Sequence, residues 1–323
     1  MALAKDDLFC HNWEMSSAHK LAASSFSGGA PSLLTARLLV LAAAVLWSSG
    51  GFFAKFHAID DWPGPLRAFW RAAFACVILL PLIRRPQWSW KLIPATLIFA
   101  AMNYTYLTAM AKGTAANAIW LQSTAQMWVL LVGVLVFRER AVFRDWLLVL
   151  LCGLGIAFIL AFEAQGKSLD AVIYGLFSGI FYAGVVLSLR QMREFESAWL
   201  VGLNHLVTAV VLSPWAISSY QSGEHWPSGW LWLVLAGFGM LQMGLPYVLF
   251  ARGLKTIPGH EASGIGLLEP LLVPIWAYFV TAGEEVPKWW TLAGGGLIFT
   301  GLVVRYLGSA RSEVQDNSPP TAT

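Results

Sequence analysis

The apolar positions of this chain do not alternate with polar ones. They run together in stretches of about 20 residues, the length a helix needs to cross the hydrocarbon core of a bilayer. Cut at its charge clusters and turn residues, the chain yields ten segments, roughly 33–55, 64–83, 91–111, 115–136, 143–162, 171–189, 199–219, 229–251, 262–282 and 289–308. The fourth carries no charge from Ala115 to Phe137, and neither does the eighth from Trp226 to Ala251. The second is less uniform, because Arg67 and Arg71 sit near its start. A membrane barrel would show in-out alternation, so the pattern predicts an all-α integral membrane protein with ten transmembrane helices.

Composition agrees. Of 323 residues, 57% are hydrophobic and 12% charged, about half the charged fraction of soluble domains. A net charge of +3 is too small and scattered for a nucleic-acid footprint, so no nucleic-acid partner is expected. Cys10 lies in a polar tail and Cys76 and Cys152 lie inside apolar runs, so no disulfide framework is expected. There is no GxxxxGK[ST] phosphate loop and no Cys/His cluster, so no cofactor and no metal are called for.

Lysine and arginine set the orientation. Fifteen of the 21 basic residues fall on one side if the chain crosses ten times. They include Arg84, Arg85 and Lys91 after the second segment, Arg138, Arg140 and Arg144 after the fourth, and Arg252 and Lys255 after the eighth. Lys112, Lys167 and Lys288 fall opposite. Both termini are therefore expected in the cytoplasm, in a multi-pass protein of the cell (inner) membrane. Tryptophans such as Trp62, Trp70, Trp146, Trp230 and Trp289 fall at segment ends, as expected of an interfacial belt. Residues 1–32 read as a disordered N-terminal tail and 309–323 as a polar C-terminal tail.

Sliding the chain against itself by 146 residues aligns Gly113 with Gly259, Ala116 with Ala262, Ile119 with Ile265, Leu121 with Leu267, and Glu139 with Glu285. The grammar matches as well: a short turn, an apolar helix, an acidic residue at its end, then a Gly-containing helix. Two units of five crossings must enter the membrane from opposite sides, which makes them inverted repeats, 33–162 and 163–308, with a substrate site between them near the midplane.

Several motifs then point to a family. Val40 to Gly51 followed by Lys55 resembles the opening helix of the EamA family, within the drug/metabolite transporter superfamily. Arg71 with the apolar run ending at Arg84-Arg85 resembles its second helix. Phe137-Arg138-Glu139-Arg140 and Gly283-Glu284-Glu285 resemble the Gly-Glu ending of the fourth helix in each half, and Leu268-Glu269-Pro270 resembles the Glu-Pro element of the ninth. The resemblance covers residues 33–308 and implies a secondary, ATP-independent exporter or exchanger of small metabolites, including amino acids. One departure concerns the first half, where Ser123-Thr124 stands in place of Glu269-Pro270. Without that proline, a bend in the fourth helix like that of the ninth is in doubt.

Charges at membrane depth are costly and mark candidate function. Glu269, beside a proline that removes one helical hydrogen bond, is a candidate proton-coupling group, or else it satisfies backbone donors or pairs with Arg71. Arg71 can attract a substrate carboxylate or serve as a structural anchor, while Arg67, one turn earlier, is expected to snorkel to the outer interface. His205 reads as a packing or interhelical hydrogen-bonding residue. Aromatic and amide residues at mid-depth are the candidate pocket: Trp47 and Ser48 in the first helix, Asn103 and Tyr106 in the third, and Trp120, Gln122 and Gln126 in the fourth. The second half adds Tyr174, Ser178 and Tyr182 on one face of the sixth helix, and Gln242 and Tyr247 in the eighth. Such a wall suits an amphipathic organic solute. Gly175 with Gly179, and Gly294 to Gly296, are expected to let helices approach closely.

Two other classes compete. A membrane-embedded enzyme needs a nucleophile and base or a ligand set at depth, whereas the bundle offers one histidine, one clear glutamate and no aspartate. A non-transporting receptor or scaffold is the second. The expected partners are therefore a small-molecule substrate, the lipid bilayer and protons, with oligomeric state and substrate identity open.

Overall fold

The computed structural model of the protein describes residues 31–163, 169–192 and 194–316. Most of the tail expected over residues 1–32 lies outside the described residues, as do Cys10, Lys167 and Arg193. Ten helices follow one another: α1 Leu33–Ala54, α2 Gly64–Leu82, α3 Leu92–Lys112, α4 Ala115–Leu135, α5 Phe143–Glu163, α6 Leu169–Gln191, α7 Ser197–Ser222, α8 Leu231–Gly253, α9 Glu261–Val280 and α10 Trp289–Asp316. The first nine are long and apolar enough to cross a membrane. The backbone of α10 stays helical eight residues past the end expected from its apolar pattern.

Local chemistry places the starts. The Ser32 hydroxyl accepts the Thr35 N–H at 3.2 Å to cap α1, and the Thr114 hydroxyl caps α4 through Asn117 N–H, as side-chain oxygens do at helix N-termini. Pro65 lies in the first turn of α2, where its missing N–H costs nothing. Large apolar side chains such as Leu97, Val210, Leu233 and Phe279 remain exposed on the outside of the bundle. In water that surface would be unfavourable; against acyl chains it is the expected solvent-facing side.

The helix pairings are related by exchanging the two halves. The first helix of one half packs on the third of the other, as α6 on α3 and α1 on α8. The first also packs on the fourth of the other half, as α6 on α4 and α1 on α9. The second helices meet as α2 on α7 and the fifth helices as α5 on α10. Gly51 of α1 sits so close to the Val273 carbonyl of α9 that no Cβ fits there. Gly179 of α6 stands in the same relation to α4, where a Cβ would lie 2.6 Å from the Leu121 carbonyl.

Three helices are interrupted by single residues with helical φ and a ψ near zero: α1 at Ser49, α4 at Thr124 and α9 at Leu267. The break in α4 answers the doubt raised by its missing proline. A fourth helix, α8, widens into π geometry over Gly237–Gly244, a local form that recurs at functional sites.

Candidate functional site

Arg71 lies two turns inside α2 and is 2% exposed. Its guanidinium Nη2 donates to Asn103 Oδ1 on α3. The Asn103 Nδ2 donates in turn to the Phe99 carbonyl at 2.9 Å, which turns the amide oxygen toward the arginine. The cation also lies over two rings, 5.8 Å from Tyr106 and 5.6 Å from Phe238. Cation–π contacts of this kind contribute about 0.5–2 kcal/mol each, and together with the amide they hold a charge that the membrane interior would otherwise exclude.

Glu269 opens the second piece of α9, just past the break at Leu267. It sits deep in the bundle within electrostatic reach of Arg71, Tyr106 and Tyr247. It is half-buried by accessible surface. Among the described residues no hydrogen bond or ion pair engages its carboxylate, so the direct pairing with Arg71 considered from the sequence does not form.

Around this pair stand groups from α1, α7, α8 and α9. His205 Nδ1 meets the Val201 carbonyl at 2.8 Å, its ring stands edge-on to Phe99 and Tyr247 at 5.0 and 6.0 Å, and Nε2 is buried with no hydrogen-bond partner among the described residues. Gln242 Nε2 donates to the Trp47 carbonyl at 3.0 Å, and Oε1 is buried without a donor among the described residues. Trp47 packs on Tyr247 and Phe250 at 5.3 and 5.2 Å. Trp276 Nε1 donates to Ser48 Oγ at 2.9 Å, tying α9 to α1 beside the break at Ser49.

The candidates named from the sequence therefore divide. Arg71, Asn103, Tyr106, Tyr247 and Glu269 share one region, flanked by Trp47, Ser48 and Gln242. Tyr182 is partly exposed and within electrostatic reach of Tyr106. Gln122 is buried and makes no side-chain hydrogen bond among the described residues. The others lie elsewhere. Trp120 is wedged against α10, with its ring 6.1 Å from Phe299, and Gly295 gives it room. The Gln126 carbonyl accepts from Arg305 of α10 at 3.4 Å. Ser178 bonds its own helix at Gly175, and Tyr174 pairs with Tyr104 at 6.0 Å, beside Trp215. Phe238 and Trp276 were missed, since a lone aromatic in an apolar run carries no signal of the face it occupies.

Three readings are corrected, two of charge and one of tryptophan placement. Arg67 does not snorkel: it is fully buried and donates to the carbonyls of Trp62, Ala54 and Asp60 at 2.9, 2.5 and 2.7 Å. The end of α1 and the following loop leave carbonyls that a five-donor guanidinium satisfies at once. Second, an aspartate is present in the bundle. Asp145, in the first turn of α5, is 5% exposed and lies 3.6 Å from Arg305 Nε. At the other end of α5, Glu163 takes hydrogen bonds from Asn117 Nδ2 and Trp290 Nε1 at 2.9 and 3.0 Å. Third, Trp62 and Trp70 are buried in an aromatic cluster with Trp226, rather than facing the interface. Among the described residues no three His, Cys, Asp or Glu side chains gather in a group able to hold a metal ion.

A membrane-crossing bundle of two related five-helix units, with ionisable groups held between broken helices, defines the class of membrane transporters. The chain belongs to the EamA-like transporter family, whose model matches residues 34–161 and 169–307, one match per half. It is similar to an uncharacterized transporter of Archaeoglobus fulgidus, with 28% identity over 203 residues, 62% of this chain and 71% of that one. It is also similar to the uncharacterized transporter YxxF of Bacillus subtilis, 22% identical over 294 residues, 85% of this chain and 92% of the relative. A solved crystal structure shares the fold with a TM-score of 0.56 at 16% identity, covering 87% of this chain and 99% of its own. The protein is thus a multi-pass membrane transporter.

Proposed function

We propose that the protein is an ATP-independent carrier of the cell (inner) membrane that exports amino acids or similar small amphipathic metabolites by alternating access. Both termini face the cytoplasm, so the basic loops lie inside and the Lys112 end of α3 lies outside. The single observation that carries this reading is the placement of Arg71, held by Asn103, within electrostatic reach of the unengaged carboxylate of Glu269 in one aromatic-walled region of the bundle. A zwitterion placed there would set its carboxylate on Arg71 and its ammonium toward Glu269, with its apolar body against Tyr106 and Tyr247. Without a substrate, Glu269 is the group that would take up a proton, coupling efflux to proton entry. Binding of a ligand to the folded state raises apparent stability, by an amount that grows with the logarithm of ligand concentration above Kd. A thermal-shift panel of amino acids, nucleosides, sugars and amphipathic drugs on purified protein should therefore show stabilisation by zwitterions, and an Arg71→Gln variant should lose it. Stabilisation by sugars alone, unchanged in Arg71→Gln, would overturn the assignment of this site.

A further inference from the structure

The Gly-Glu ends of α4 and α9 contribute nothing to the central cluster, yet both are built with care. Glu285 Oε1 lies 2.6 Å from Lys55 Nζ, and the two side chains are 15% and 7% exposed. Its Oε2 accepts the Ala115 N–H at 3.2 Å, and Lys55 also donates to the Gly113 carbonyl at 2.8 Å. At the opposite end of the bundle, Glu139 Oε1 accepts from Arg190 Nη2 at 2.5 Å, with 22% and 21% exposure. The Glu139 carboxylate tucks over Gly133, where a Cβ would come within 2.6 Å of Oε2. Each glutamate follows a left-handed reversal, at Arg138 with φ 57° and at Ala282 with φ 50°.

The connectivity is what joins them. Lys55 ends α1 and Arg190 lies in the last turn of α6, so each pair ties the fourth helix of one half to the first helix of the other. These are the same helix pairs whose backbones touch at Gly51 and Gly179. The pairs differ by exchange of the halves and sit at opposite membrane faces. Each cation also has a second resting place, Asp60 at 3.8 Å from Lys55 and the Phe137 ring at 5.9 Å from Arg190, so release of the glutamate does not strand a bare charge.

We propose that Lys55–Glu285 and Arg190–Glu139 are the two gate latches of the carrier, one at each face, released in alternation. The inference rests on the carrier reading. Inverted repeats reach their second state by exchanging the roles of the halves, and a closing contact present in both copies at opposite faces is what that exchange requires. The structure holds both latches closed. The Arg190–Glu139 pair is the more exposed of the two.

The test uses the full chain with Cys10, Cys76 and Cys152 replaced by serine and Glu269→Cys as reporter, in membrane vesicles of each orientation. A membrane-impermeant maleimide then reports access from either face. Glu285→Gln, which keeps an acceptor for Ala115 N–H, should raise the ratio of labelling from the Lys55 face to labelling from the Arg190 face about tenfold, the effect of a modest population shift. Glu139→Gln should lower that ratio comparably, and the exchange Lys55→Glu with Glu285→Lys should return it to the reference. If Glu285→Gln fails to fold, Lys55→Gln tests the same latch. A ratio unchanged within about twofold, or shifted in the same direction by both glutamine variants, would overturn the proposal. Opposite shifts with no solute in the panel moved would instead sustain the latches and remove the assignment of the central site.

Discussion

Helices α4 and α9 are broken in nearly the same conformation by different chemistry. Thr124 has φ −66° and ψ −8°, and Leu267 has φ −62° and ψ −11°. In α9, Pro270 stands in the first turn of the second piece, where an N–H would have no intrahelical partner, and its ring excludes a continuous helix. In α4 no proline is present. There Ser123 Oγ donates to the Ile119 carbonyl at 2.7 Å and Thr124 Oγ1 to the Leu121 carbonyl at 2.6 Å, so hydroxyls occupy carbonyls that the next turn would claim, a local competition that bends helices. Ser48 and Ser49 repeat the device in α1. A kink is thus set by which group takes the i−3 and i−4 carbonyls, and a proline is one means among several. What does differ is cargo: the α9 break carries Glu269, and the α4 break carries no charge.

That difference sets the largest expected effect. Glu269→Gln should abolish pH-driven transport in proteoliposomes with folding intact, whereas Ser123→Ala, at the matching place in α4, should leave its pH dependence unchanged. Equal proton coupling in wild type and Glu269→Gln would remove Glu269 from the mechanism. The two close approaches should respond alike: Gly51→Val and Gly179→Val each force side-chain atoms against a facing carbonyl and should destabilise by about 1–3 kcal/mol, read as a lowered midpoint in thermal unfolding of the purified protein. A loss at one site alone would show that the α1–α9 and α4–α6 contacts are not equivalent. The smallest effect concerns the hydroxyl. Thr124→Ala removes one side-chain hydrogen bond and should cost about 1 kcal/mol by the same measurement.

Much of this architecture was readable beforehand. The spans of α4 and α8, the two-unit repeat and the motif ends at Glu139 and Glu285 all came from apolar runs and spacing, because a bilayer core rejects charge and open backbone. Glu269 and Arg71 stood out for the same reason. Their surroundings did not. Nothing in the chain announced that Arg71 would bond Asn103 rather than Glu269, that Arg67 would turn inward to three carbonyls, or that Trp120 would pack away from the central region against α10.

The sequence by itself determined where the apolar spans run, since that depends only on the free energy of a segment against lipid, and its internal register showed which segments are equivalent. The tertiary structure alone decided the partners. Lipid is as apolar as a helix-packing surface, so hydrophobic patterning exerts little control over how a membrane helix is rotated about its axis. Close backbone approaches at Gly51 and Gly179, and ion pairs such as Lys55 with Glu285, residues 230 apart in the chain, set that rotation.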